Sequence, residues 1–467
     1  MKRLWKTWRM GLRDPQRSPM SDTSGRGWAN AFYGVGDYLV LPIGMLLAAP
    51  FLLRHLGTAQ YGVWVLAGAA VSGGGIVSGS FGDAAIKYVA DCRGRGDWPG
   101  VVRIVRNMIS INLVLSGILA IALWYLAPYV TRHIVKVDRE LQTICLRSLR
   151  IGSGLLLMRS IESVFISTLR AFETYGSTVR ISICSRTAIL IFAIVLTRYG
   201  RNVVWIMVAT LFISTSGTLA QALALKTKMG TFSSMPSWHR KTVSDIATFG
   251  TFSWLQAISS VVFSHADRFF VGFFMGAPAV AYYGLCVQAA QPIHGLISSG
   301  LHFLFPHLST RLPVAPVSEI RRKVIMAFKV NVALVGALSL PLIVFGNRIL
   351  TAWIGPAFGQ QPPLMFSTVV FSFALLGMNV TAHYALLAVG HVRVVTYLNL
   401  SAGIVMLLVM AMLLPKHGLQ GAAWARLVYG PITCLAYFYL YRIIWRAEPH
   451  TLLPQSPIYN VAATGTD

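Results

Sequence analysis

Two neighbouring apolar stretches in the first half of the chain contain charged residues whose types and spacing suit phosphate binding. Arg150, Arg159 and Glu162 lie in one stretch, and Arg186 lies near the middle of the next. Guanidinium groups bind phosphate oxygens bidentately. Glu162 follows Arg159 by three residues, so on a helix it balances one cation and leaves the pair of arginines with excess positive charge. We expect a cationic cavity here; the alternative interpretation is a structural ion pair or an arginine at a helix–helix contact.

Further charges occupy other apolar stretches. Arg426 lies in the last one and is either a second cation of the cavity or a structural arginine. Asp267 and Arg268 come near the end of a stretch, where they predict an interfacial salt bridge or a gating contact. Asp37, near the start of the first stretch, and Glu162 are the candidates for coupling transport to a proton or sodium gradient.

Neither a catalytic residue nor a metal ligand stands out in the sequence. The five cysteines are far apart, and no Cys/His spacing typical of a metal site is present. No paired-carboxylate motif of the kind that glycoside chemistry needs is visible. We therefore expect a protein that is not an enzyme and that needs no cofactor.

The stretches that hold these charges are long enough to cross a bilayer. The 467 residues are 55% hydrophobic and only 12% charged, and the mean hydropathy is +0.62. A soluble protein cannot bury that much apolar surface. Because backbone groups in lipid need internal partners, the spans are predicted to be α-helices. We expect an all-α polytopic membrane protein with about twelve spans, whose approximate bounds are 32–53, 61–83, 107–130, 144–169, 177–198, 202–225, 245–269, 279–303, 324–345, 364–388, 394–414 and 419–441.

Basic residues are distributed unevenly between the two sides of this predicted map. With the N-terminus inside, 26 of the 40 lysines and arginines fall on the cytoplasmic side and nine fall outside. The positive-inside rule then places both termini in the cytoplasm. On a soluble chain a net charge of +25 would suggest nucleic acid, but here the basic residues lie mainly in short loops, so we expect topology signals and no nucleic-acid partner.

The chain repeats itself weakly, with matches 217 to 219 residues apart. Leu56-Gly57 recurs as Met275-Gly276, Asn112 recurs as Asn331, and the segment ending at Gly200 recurs as the segment ending at Gly418. This repeat predicts two six-helix halves with the same orientation. Such halves are related by an axis along the membrane normal, and we expect the substrate site in the cleft between them. The predicted segments are a basic cytoplasmic leader (1–30), an N-terminal lobe (31–225), a basic inter-lobe loop (226–244), a C-terminal lobe (245–445) and a disordered tail (446–467).

Several short motifs give the chain a resemblance to a known family over about residues 30–445. Together, and in this order, they resemble the polysaccharide transporter branch of the multidrug/oligosaccharidyl-lipid/polysaccharide exporter superfamily. The motifs are Phe51–Trp64, Phe81–Ala90, Asp267–Gly276, Phe303–Ser309, Ile354–Phe358 and Gly418–Trp424.

This resemblance implies a function. Family members flip undecaprenyl-pyrophosphate-linked oligosaccharide across the bacterial inner membrane for O-antigen, capsule or exopolysaccharide synthesis. The implied partners are the lipid-linked oligosaccharide and the bilayer, with a polysaccharide polymerase and glycosyltransferases as further candidates. Alternating access is the expected mechanism, with the pyrophosphate in the cleft and the polyprenyl tail in lipid.

Two other functions stay open at this point. A cation-coupled drug or toxin exporter of the same superfamily would favour an acidic, aromatic-lined pocket, whereas this chain has more arginines than carboxylates in its spans. An integral-membrane polysaccharide polymerase would need a sizeable extramembrane loop, and no outside loop exceeds roughly 20 residues.

Overall fold

The structure is a computed structural model that describes residues 23–79, 81–134, 139–172, 174–229, 235–301 and 316–445, together with Leu304 and Leu308. In this part of the chain nearly every residue is helical and no strand occurs. Seven helical stretches of the described chain are long and apolar enough to cross a membrane. The predicted all-α, multi-pass membrane fold is therefore confirmed. Most of the predicted leader and the whole predicted tail (446–467) lie outside the described residues, and the segment bounds stay predictions.

The helices follow one another with short connections. Two π-helical turns interrupt them, at Val130–Ile134 and Val262–Ala266. In chain order the α-helices are α1 (Thr23–Gly79), α2 (Gly82–Gly94), α3 (Trp98–Tyr129), α4 (Arg139–Ala171), α5 (Tyr175–Arg198), α6 (Val203–Met229), α7 (Arg240–Val261), α8 (Asp267–Met275), α9 (Ala277–Leu301), α10 (Val317–Ile354), α11 (Pro356–Gly359), α12 (Met365–Met378), α13 (Val380–Ala388), α14 (Val392–Leu427) and α15 (Tyr429–Trp445).

Glycines at equivalent places of the two halves break the helices. Gly57 inside α1 has φ 77° and ψ 161°, and Gly276 between α8 and α9 has φ 83° and ψ 177°. Gly200 and Gly418 have φ 68° and 57°. Residues with a side chain rarely adopt this region. The sequence repeat aligns these same pairs, so a positive φ recurs at corresponding places of both halves. Gly57 divides α1 into two spans, and Gly418 divides α14.

Within each half, a buried asparagine joins two helices, and the two asparagines occupy equivalent positions. Asn112 on α3 accepts a hydrogen bond at 3.1 Å from the Ser160 hydroxyl on α4. Asn331 on α10 donates one at 3.1 Å to the Gly377 carbonyl at the end of α12. Buried amides need such partners in an apolar bundle, and the repeat aligns both the asparagines and their neighbours.

The two halves contact each other along α1 and α9, close to Gly57 and Gly276. A Cβ atom at Gly62 would lie 1.8 Å from the Ala277 carbonyl oxygen, and one at Gly284 would lie 2.7 Å from Val65. Small residues allow this close approach of two membrane helices. We call this contact between α1 and α9 the glycine seam.

Candidate functional site

A cavity of about 400 Å³ lies among the helices of the second half. Its wall mixes polar side chains with apolar and aromatic ones, and no Asp, Glu, Lys or Arg of the described chain belongs to it. Among the described residues of the first half only Ile76 on α1 lines it, so the cavity faces the boundary between the two halves. The polar lining includes Gln256, Gln291, His294, Asn379, His383 and Asn399. A neutral wall of this kind binds hydrogen-bonding groups rather than formal charges.

The π-helical turn Val262–Ala266 shapes one side of the cavity. Three consecutive residues of this turn, Phe263, Ser264 and His265, line the wall. In a regular α-helix consecutive side chains point about 100° apart, so three in a row rarely share one face. Single π turns occur frequently at functional sites, and this one brings an aromatic ring, a hydroxyl and an imidazole to the cavity.

A break between α12 and α13 shapes the opposite side. The Asn331 amide donates hydrogen bonds to the carbonyls of Gly377 and Met378, at 3.1 and 3.0 Å. These carbonyls lie where the helix is interrupted, and Asn331 satisfies them. The interruption places Asn379 and, one turn later, His383 on the cavity wall.

Hydrogen bonds between helices hold the polar lining in place. The Gln256 amide nitrogen on α7 lies 3.3 Å from His383 Nε2 on α13. The Tyr429 hydroxyl on α15 donates to Asn399 Oδ1 on α14, also at 3.3 Å. Each pair joins two helices, so the amide and imidazole groups are oriented before any ligand arrives.

Arg426 lies behind the cavity wall and not in it. Its side chain is 0% exposed and forms an ion pair with Asp267, which is also 0% exposed. The guanidinium carbon lies 4.2 and 4.8 Å from the ring centroids of Phe263 and Phe373. Tyr283 donates a hydrogen bond to the same carboxylate at 2.8 Å. In this conformation the Arg426 guanidinium is enclosed by protein groups, and its assignment to the cationic cavity stays a prediction.

Arg268 lies between this ion pair and the first half of the chain. Its guanidinium is 3.2 Å from His265 Nδ1, and it lies within electrostatic range of Asp267 and of Tyr61 on α1. Arg268 Nε and the Tyr61 hydroxyl are buried without a hydrogen-bond partner among the described residues. Asp267 therefore pairs with Arg426, while Arg268 faces the other half near the glycine seam.

The charges of the first half form a separate group. Arg159 on α4 lies within electrostatic range of Glu162 and of Arg186 on α5. Its side chain is half-buried, and its Nε atom is buried without a hydrogen-bond partner in the described part of the chain. Arg150 instead lies 4.9 Å from the ring centroid of Trp124. The structure thus brings Arg159, Glu162 and Arg186 together, and we call these three residues the Arg159 group. Arg150 lies apart from them.

Asp37 lies on α1, and its side chain is outside the described part of the structure. The neutral cavity is not among the sites predicted from the sequence. Its signal in the sequence is a set of Gln, His and Asn residues spread over several predicted spans.

Comparison with known sequences shows where the chain has relatives. A family model described as polysaccharide biosynthesis protein matches residues 28–311. A curated protein of Shigella flexneri, described as "Putative O-antigen transporter", is 24% identical over 188 residues. This alignment covers 39% of the chain and 43% of that protein, so the chain matches less than half of this relative's length.

Solved structures share the fold at low sequence identity. A multidrug resistance MATE family transporter of the MOP superfamily, in an inward-facing conformation, has a TM-score of 0.74 at 15% identity over 88% of this chain and 98% of that chain. The lipid II flippase MurJ, in an inward closed conformation, has a TM-score of 0.71 at 13% identity over 93% of both chains. The MATE multidrug transporter DinF-BH has a TM-score of 0.67 at 15% identity over 93% of this chain and 100% of that chain. These similarities establish the two-lobe transporter fold.

Proposed function

Because the chain belongs to the polysaccharide biosynthesis protein family, we propose that it flips a polyprenyl-pyrophosphate-linked oligosaccharide across the bacterial inner membrane. The family match covers residues 28–311, which include every charge of the Arg159 group. The observation that carries the proposal is the Arg159 Nε atom, which is buried without a hydrogen-bond partner among the described residues. A buried guanidinium N–H of this kind suits a phosphate oxygen.

The charge of the Arg159 group supports an anionic headgroup. Arg159 and Arg186 carry two positive charges, and Glu162 balances only one of them. A pyrophosphate supplies the missing negative charge and accepts bidentate hydrogen bonds from a guanidinium fork. A cationic drug would meet net repulsion at the same place, so the exporter of cations is the less favourable alternative.

The glycine seam defines which side is closed in this conformation. With the N-terminus in the cytoplasm, the bend at Gly57 lies on the periplasmic side, and the seam closes the cleft there. The headgroup then enters from the cytoplasm while the polyprenyl tail stays in lipid. Rocking of the two halves opens the seam and exposes the headgroup to the periplasm. This transport moves the lipid without forming or breaking a covalent bond.

Glu162 is the proposed coupling group. A carboxylate beside two arginines changes the charge of the site when it binds a proton or a sodium ion. Binding of either ion would make the site more positive and strengthen its hold on the pyrophosphate, and release of the ion would weaken that hold. Flux in proteoliposomes that responds to neither a pH gradient nor a sodium gradient would contradict this coupling.

Deletion of the gene tests the proposed function directly. In the deletion strain we expect surface polysaccharide to be lost and lipid-linked oligosaccharide to accumulate at the cytoplasmic face. Expression of the wild-type chain should reverse both effects. Unchanged surface polysaccharide, together with a gain in susceptibility to cationic drugs, would contradict the flippase and favour an exporter.

A further inference from the structure

The wall of the 400 Å³ cavity has the chemistry of a carbohydrate site. Amide and imidazole groups, here Gln256, His383 and Asn399, donate to and accept from neutral hydroxyl groups. Phe263, Phe373 and Tyr429 add apolar aromatic surface to the same wall, against which the C–H groups of a sugar pack. Neither a phosphate nor a cationic compound finds a counter-charge there, because no Asp, Glu, Lys or Arg of the described residues lines the cavity.

We propose that this cavity binds the sugar residues nearest the pyrophosphate of the transported lipid, an inference that rests on the proposed function. The Arg159 group and the cavity then divide one ligand between the two halves: the first half holds the charged part and the second half holds the glycan. Small-molecule sites begin at roughly 300 Å³, so a cavity of about 400 Å³ takes one or two sugar rings.

The position of α1 supports this division. A Cβ atom at Gly73 would lie 3.1 Å from Val261 on α7, and one at Gly74 would lie 2.3 Å from Leu156 on α4. Leu156 precedes Arg159 by three residues, about one helical turn. A single turn of α1 therefore contacts both the helix that bears Arg159 and a helix that lines the cavity. The two sites are thus about one helix diameter apart, roughly 10 Å, a distance that a pyrophosphate and its first sugars span.

The backbone around the cavity departs from regular helix in several places. Three separate backbone irregularities meet at its wall: the π turn Val262–Ala266, Pro292 inside α9 and the break before Asn379. The Asn379 side-chain oxygen is buried at this wall without a hydrogen-bond partner among the described residues. Buried oxygens are nearly always hydrogen bonded, so we expect a hydroxyl donor of the ligand to satisfy it.

The test compares two ligands that differ only in the glycan. The native lipid-linked oligosaccharide is extracted from the deletion strain, and synthetic undecaprenyl pyrophosphate is the second ligand. Binding of each lipid to the full-length protein in nanodiscs is then measured. We expect the wild type to bind the intact lipid about tenfold more tightly than undecaprenyl pyrophosphate, the size of effect that one or two net hydrogen bonds give.

Apolar substitutions in the cavity should remove this difference. Asn399→Leu and Gln256→Leu keep a similar side-chain volume and lose the amide. Each variant should bind the intact lipid no better than undecaprenyl pyrophosphate, with unchanged affinity for the latter as proof of folding. Ser401→Leu is the matched control, because Ser401 lies on α14 two residues from Asn399 and is exposed.

The outcomes separate the two proposals. If the wild type binds both lipids equally, or if the cavity variants keep the tenfold preference, the glycan site is refuted while the proposed flippase stands. If the wild type binds neither lipid, the proposed function fails and the glycan site fails with it. If Asn399→Leu loses binding to undecaprenyl pyrophosphate and Gln256→Leu does not, the Asn399 variant has a folding defect. The result for Gln256→Leu then decides whether the glycan site stands.

Discussion

Gly62 lies so close to Ala277 that a Cβ atom on the glycine would be 1.8 Å from the alanine carbonyl oxygen. A reciprocal contact lies further along the same helices, where Gly284 on α9 faces Val65 on α1. Each half therefore contributes one glycine to the seam, and that glycine packs against a residue of the other half. Tyr61-Gly62 follows the bend at Gly57, and Tyr283-Gly284 follows the bend at Gly276, so the contact between the halves is built from the corresponding segment of each half.

A disulfide across the seam should stop transport. A Cβ atom at Gly284 would lie 3.7 Å from Val65 Cβ, within the range that disulfides adopt. In a background without the five native cysteines, Val65→Cys with Gly284→Cys should cross-link on oxidation and halt flux, and reductant should restore it. A protease site engineered into residues 226–244 reports the cross-link. After cleavage, the two fragments stay together on a non-reducing gel only if the disulfide has formed. Full flux in the oxidised protein would mean that the seam does not open during transport.

Adding a methyl group at Gly62 should weaken the seam. The Ala277 carbonyl is backbone and cannot move aside alone, so Gly62→Ala should separate α1 from α9. We expect a severalfold lower yield of the cross-link between positions 65 and 284. Gly68→Ala on the same helix is the control, because a Cβ there meets nothing within 4 Å. Equal yields in both variants would contradict the close contact.

Removal of one partner of the Asp267–Arg426 pair should strongly destabilise the protein. Asp267→Asn leaves an unpaired guanidinium in a wholly buried position, which typically costs about 3–5 kcal/mol. Thermal unfolding in detergent should show a large decrease in Tm. Glu319→Gln removes the half-exposed pair with Lys323, which has a separation of 2.9 Å, and should cost no more than about 1 kcal/mol. Similar Tm values for both variants would show that the buried pair is not needed for stability.

Arg159→Ala should abolish surface polysaccharide while the amount of protein in the membrane holds. Loss of a charge-assisted hydrogen bond to phosphate weakens binding of undecaprenyl pyrophosphate by about 10- to 100-fold. Arg186→Ala should act in the same direction. Arg147→Ala on the same helix is the control, since Arg147 is exposed. Normal amounts of surface polysaccharide in both Arg159→Ala and Arg186→Ala would contradict the assignment of the pyrophosphate to this site.

The helices and their breaks could be predicted because the signals are local. Apolar length places the spans, and a glycine such as Gly57 or Gly276 allows the bend wherever it occurs. That Glu162 lies within electrostatic range of Arg159 follows from helical spacing alone. For these features the neighbours in the chain decide the outcome.

The partner of Arg426 could not be predicted because Asp267 is 159 residues away in the chain. Only the packing of α8 against α14 brings them together, and Asp267 has Arg268 as a nearer and misleading neighbour. The neutral cavity was missed for a related reason. Gln256 and Asn399 carry neither charge nor periodicity, and it is the π turn and the break before Asn379 that turn such residues towards one space.

The glycine seam also bears on what else crosses the membrane. Its atoms are in direct contact along α1 and α9, as in a protein interior, rather than covered by a movable loop. Such packing leaves no room for a file of water between α1 and α9. Under the proposed function, a carrier of a bulky glycan would thereby block protons and small ions along this helix pair while its opposite side is open.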